Sequence, residues 1–158
     1  MDTRVIATGF NTGATEGDDD ALAARLDTMI ALGADACELT AHALDVVAAG
    51  RLVPHRLRTV RAVTQERPLS YSVHAPIPIN LMDRDEPALH RRAAEAALNL
   101  AAELSARDVV IHPGRCTPAD WARDAAGLLA WERDALGPLA ERARALGVRI
   151  AYENISPN

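Results

Sequence analysis

The sequence predicts an α/β fold of parallel strands joined by helical crossovers, and three observations carry that expectation. Short apolar or alternating runs recur about every 36 residues, each followed by residues at helical spacing. Gly and Pro punctuate the joins. Three of the runs end in metal-binding residue types: Tyr71-Ser72-Val73-His74-Ala75-Pro76, Val109-Val110-Ile111-His112-Pro113-Gly114 and Arg149-Ile150-Ala151-Tyr152-Glu153-Asn154. His74, His112 and Glu153 lie about 40 positions apart, the length of one strand, crossover helix and return. Parallel strands therefore carry all three side chains to one end of a sheet, where α/β enzymes place their chemistry.

The first strand is expected from Arg4 to Thr8, with Gly9-Phe10-Asn11 at its exit and a Gly- and Asp-rich loop to Asp20. Asp18, Asp19 and Asp20 favour the positive end of a helix dipole; Leu22, Leu26, Met29 and Ile30 repeat at helical spacing, and Gly33 closes the helix. Cys37 and Leu39 alternate with Glu38 in a second strand, Ala36 to Thr40. A short extra helix is expected over Ala41 to Ala49, then a turn at Gly50, and Pro54 suits the first position of a helix to about Glu66. Strand three spans Leu69 to Ala75. Pro76 and Pro78 force a shaped loop directly after His74.

Asp85-Glu86-Pro87 opens a helix to about Ser105, with a small-residue face of Ala94, Leu98, Ala101 and Ala102 suited to packing on a sheet. Strand four is Asp108 to His112. Thr117-Pro118 provides an N-cap and a proline at the first helical position; Gly137-Pro138 is expected to interrupt the helical region and Leu146-Gly147 to end it. Strand five is Val148 to Glu153. Five strands and four crossovers fit either an open doubly wound sheet or part of an eight-unit barrel, which needs about 250 residues. Length alone favours the open sheet.

Composition narrows the function classes. The 158 residues are 49% hydrophobic and are expected to form a single domain over 1–158 with a real core. A net charge of −5 gives no electrostatic reason to expect polyanion binding, so nucleic acid is not an expected partner. All 17 basic residues are Arg, so a phosphate-loop lysine, a Schiff-base amine and a lysine base are excluded. Chemistry must use His, carboxylates, Arg or a metal. Cys37 and Cys116 lack paired-motif spacing and are expected to be small buried hydrophobes in a reducing cytoplasm. No apolar stretch approaches the roughly 20 residues that span a bilayer, so no membrane partner is expected.

Glycines 9, 13 and 17 match neither a dinucleotide fingerprint nor a phosphate loop and are expected to serve turns. His74 or His112 alone would suit a structural role; their placement on successive strands with Glu153 on the next marks a half-site for a divalent metal. His55 and His90 sit beside arginines on helices and are expected to be solvated, whereas His42 lies near the rim. Arg115, just after His112-Pro113-Gly114, is positioned to meet a substrate phosphate. Trp121 and Trp131 are expected in the core or an interface.

The linked elements Ser72-Val73-His74-Ala75-Pro76-Ile77-Pro78-Ile79-Asn80-Leu81, Val109-Val110-Ile111-His112-Pro113-Gly114 and Ile150-Ala151-Tyr152-Glu153-Asn154, in this order, resemble the xylose isomerase-like barrel superfamily, which includes sugar phosphate isomerases/epimerases and endonuclease IV. The resemblance implies an incomplete TIM barrel holding strands one to five, the N-terminal part of a longer enzyme. Strands six to eight would carry that family's remaining Asp, His and Glu ligands. Open edges on strands one and five imply homo-oligomers or association through those edges.

The resemblance also implies a cofactor and roles. The ligands would be His74, His112 and Glu153, holding a divalent Zn, Mn or Mg, with Glu153 also the proton-transfer acid or base. Glu38, Asn80 and Asn154 would line the pocket or orient its groups. The implied activity is a cytoplasmic metal-dependent sugar or sugar-phosphate isomerase/epimerase acting by proton transfer next to a carbonyl. Ile77 stands where endonuclease IV has a tyrosine, which leans the resemblance toward the isomerase/epimerase branch and leaves an endonuclease IV-like metal-dependent phosphodiesterase acting on abasic DNA as the second reading. An inactive binding or assembly module is the third reading.

Overall fold

The computed structural model describes residues 7–153. In chain order the elements are strand β1 (Gly9–Asn11), helix α1 (Asp19–Ala31), β2 (Ala36–Thr40), a 3-10 turn (Ala41–Leu44), β3 (Val47–Ala48), β4 (Arg51–Leu52), α2 (Pro54–Gln65), β5 (Ser70–His74), α3 (Pro87–Glu103), β6 (Asp108–Ile111), α4 (Pro118–Leu146) and β7 (Arg149–Tyr152). Strands β1, β2, β5, β6 and β7 form one sheet in that order, every neighbour parallel.

Strand order decides between the two architectures the sequence allowed. A doubly wound sheet reverses direction at a switch point and covers both faces with helices. Here each strand lies beside the next one in sequence, without reversal. Alternation then shows that the helices cover one face. Leu39 pairs in register with Val73, Val73 with Val109 and Val109 with Ile150. Leu39, Val73, Val109, Cys37 and Ile111 share one core cluster with Leu22 and Leu26 of α1, Val60 of α2, Leu98 of α3 and Leu139 of α4. Each fully buried Leu or Val there contributes about 1.5–3 kcal/mol. The intervening residues Glu38, Ser72, His74, Val110 and Ala151 belong to the opposite face and lie outside that cluster. This is the winding of a (β/α) barrel, and the five described strands do not close into a ring.

Caps explain where the helices begin. The Asp18 side chain accepts from the N–H groups of Asp20 and Ala21, and Thr117 accepts from Asp120 N–H; α2, α3 and α4 each start with Pro. On α3, Ala94, Leu98 and Ala101 are fully buried, as the small-residue face required.

Several expectations need correction. Residues 4–6 lie outside the described residues, and Gly9–Asn11, expected as the exit of strand one, pairs with Ala36–Glu38. Gly9 fits because a Cβ there would sit 2.6 Å from the Ala36 carbonyl oxygen. The extra helix over Ala41 to Ala49 lasts one 3-10 turn. Asp45 adopts left-handed geometry and ends it, and Ala49 and Gly50, both with positive φ, reverse the chain into the β3–β4 hairpin.

Pro138 does not interrupt α4; it sits on the exposed side of the helix. The break is at Asp124 (φ −154°, ψ 50°), whose side chain accepts from Gly127 N–H and so recaps the helix. Cys37 is buried but Cys116 is exposed, and Trp121 and Trp131, 45% and 40% exposed, are not in the core.

Candidate metal centre

Parallel pairing brings the three sequence-predicted ligands to one end of the sheet. His74 is the last residue of β5, and His112 and Glu153 directly follow β6 and β7. Backbone bonds continue the ladder past the strand ends: Ala75 N–H donates to Val110 O at 2.9 Å and Glu153 N–H to Ile111 O at 3.0 Å. These bonds fix the relative height of the three ligand-bearing segments.

The side chains converge. His74 Nε2 and His112 Nε2 are 3.0 Å apart, Glu153 Oε2 is 3.0 Å from His112 Nε2 and 3.6 Å from His74 Nε2, and the rings meet edge to face. Donor atoms sharing one ion at roughly 2.1 Å stand about 3.0–3.4 Å apart, so the set fits a divalent cation. The His74 Nδ1–H donates to the Ala75 carbonyl at 2.9 Å, so that in the neutral ring the Nε2 lone pair is the one offered toward the other two donors. Exposure is graded: the His74 side chain is 13% exposed, His112 21% and Glu153 47%. His42 stands at the same rim, and burial, then the nearness of His74, pushes its pKa down.

The other predicted site residues divide. Glu38 shares the uncovered face but pairs with Ser72, a strand position below His74, and accepts from Asn11 Nδ2 at 2.6 Å. Asn80 spends its amide on backbone: Oδ1 accepts from Arg115 N–H at 2.8 Å and Met82 N–H at 3.2 Å, and Nδ2 donates to Arg115 O at 2.9 Å. It ties the loop after His74 to the loop after His112. The Arg115 guanidinium donates to Ile77 O and borders a cleft of about 570 Å³ that none of the three candidate ligands lines. Asn154 lies outside the described residues.

Sequence reasoning missed two residues. His90, expected in solvent, is largely buried: its Nδ1 accepts from Asn80 N–H at 3.1 Å and its Nε2 meets Asp83 Oδ2 at 3.2 Å. Glu132, only 5% exposed, accepts from Gly114 N–H in the turn after His112. Its signal was periodicity, since Glu132 interrupts the buried stripe Leu128, Leu139 and Ala143 of α4. Burial first, then the Glu132 carboxylate, pushes the Tyr152 phenol above its ordinary range, with the Gly114 backbone opposing.

This strand winding agrees with the sequence family: the chain belongs to the xylose isomerase-like TIM barrel family, whose profile matches residues 26–158. Solved structures repeat the fold. A D-tagatose 3-epimerase-like protein superposes with a TM-score of 0.72 at 22% identity, covering 97% of this chain and 54% of that one. Endonuclease IV from Thermus thermophilus gives 0.59 at 23% identity, covering 94% and 51%. Another Thermus thermophilus protein, TTHB071, from a crystal soaked with ZnCl2, gives 0.62 at 27% identity, covering 94% and 55%. The chain thus spans about half the length of these structures. No curated protein sequence matches it. Among the described residues, no helix is long and apolar enough to cross a membrane.

Proposed function

We propose that His74, His112 and Glu153 hold a divalent Zn, Mn or Mg ion and that the protein acts as a metal-dependent sugar or sugar-phosphate isomerase/epimerase. The observation that carries this reading is the convergence of two imidazole nitrogens and a carboxylate oxygen within 4.8 Å of one another at the strand ends. A bound cation would polarise the substrate carbonyl and its neighbouring hydroxyl. Glu153, the most exposed of the three, would take the proton from the carbon next to that carbonyl. The electron pair of the broken C–H bond moves toward the carbonyl, and the proton returns from Glu153.

One base on one face can move a proton between adjacent carbons, which is isomerisation. Inverting a centre requires a second proton donor on the opposite face. Glu38, already bonded to Asn11 and level with Ser72 two residues before His74, would not serve as that donor. Arg115 is the candidate for a substrate phosphate. Free thiols at Cys37 and Cys116 suit a cytoplasmic setting.

The test is incubation of the manganese- or zinc-loaded protein with ketohexoses and their phosphates in D2O. We expect deuterium at the carbon beside the carbonyl, lost in Glu153→Gln. Cleavage of abasic-site DNA without sugar exchange would overturn this assignment in favour of phosphodiester chemistry.

A further inference from the structure

Glu132 is a carboxylate in the wrong stripe. Its neighbours on the buried side of α4 are Leu128, Leu139 and Ala143, and among the described residues it has no cationic partner. Burying a charge without a counter-ion is costly, and an apolar residue would pack that position at lower cost. The carboxylate instead meets one specific group: it accepts from Gly114 N–H, two residues after His112. Gly114 allows the approach, because a Cβ there would collide with Met82 and with Glu132 itself.

We propose that Glu132 is a positioning residue for the candidate metal centre: holding the Gly114 N–H from the helix side, it fixes the turn that carries His112 and so the placement of the His112 donor nitrogen beside the other two donors. The inference rests on reading those residues as ligands. Supporting groups behind ligands govern affinity because a donor held in place loses less freedom on capture.

Cobalt(II) titration of the full chain, followed by its visible absorption and by competition with a chelating dye, tests the proposal. Glu132→Leu removes the acceptor; we expect its cobalt affinity to fall about 10–100-fold with altered band intensities. Glu132→Gln keeps an acceptor for Gly114 and should stay close to wild type. Arg56→Ala, which breaks the distant pair with Asp19, is the control for general destabilisation: it should lower the melting temperature of the metal-free protein and leave cobalt affinity unchanged. Wild-type affinity and spectrum in Glu132→Leu, or an equal loss in Arg56→Ala, would overturn the role while leaving the ligand assignment standing. Failure of the wild-type protein itself to bind cobalt would overturn both. Should Glu132→Leu not fold, Glu132→Ala, which removes the acceptor without adding bulk, carries the test, with a fall in cobalt affinity supporting the contact and an unchanged affinity refuting it.

Discussion

The two faces of the sheet come from the same strands and obey different rules. On the helix-covered face, Leu39, Val73 and Val109 are fully buried and continue the apolar core of all four helices. On the other, Asn11, Glu38, Ser72 and Asp108 form a polar row, and His74 leads up to the candidate ligand cluster. The difference teaches that one strand period serves two purposes: alternate positions hold the protein together, and those between them are free to carry donors and acceptors.

That division can be broken by substitution. Leu39→Ala should cost about 2–5 kcal/mol, because a fully enclosed side chain leaves a cavity; urea unfolding measures it, and a loss below about 1 kcal/mol would contradict the assignment of the covered face. His112→Ala should do the reverse, abolishing stoichiometric zinc or manganese binding in calorimetry while changing stability little; metal retained in that variant would count against the ligand set. Asn80→Ala leaves the Arg115 N–H and Met82 N–H without their acceptor and should cost about 1–3 kcal/mol.

Asp18→Ala, remote from either face, should cost about 1 kcal/mol through its lost helix cap. The smallest effect sharpens the comparison chemically. Burial, reinforced by the charge of Glu38, pushes the Cys37 thiol up to about 12, so it stays protonated and unreactive well above neutral pH, while Cys116 is open to solvent. A thiol reagent at pH 8 should modify Cys116 alone until denaturant exposes Cys37. The uncovered face and the β1 and β7 edges should also promote self-association; sedimentation showing only monomer across a concentration series would argue against it.

Legibility followed the physics of each element. Strand β2 was readable as Ala36–Thr40 because Cys37 and Leu39 alternate with Glu38, and α1 because three aspartates precede its apolar repeat. The segment after Thr40 was not, since its hairpin depends on left-handed backbone at Ala49 rather than on a periodic pattern. The break in α4 was misplaced because proline was given more weight than a capping Asp124. For the site, His74, His112 and Glu153 were legible as strand-end residues at regular spacing. Glu132 and His90 were not, because their roles arise only when α4 and α3 pack behind the loops they hold.

The Asn80 bridge joins two loops that belong to different repeats of the chain. Each follows an imidazole, so both rings ride on a single lip, and a substitution that loosens either loop is felt at both nitrogens.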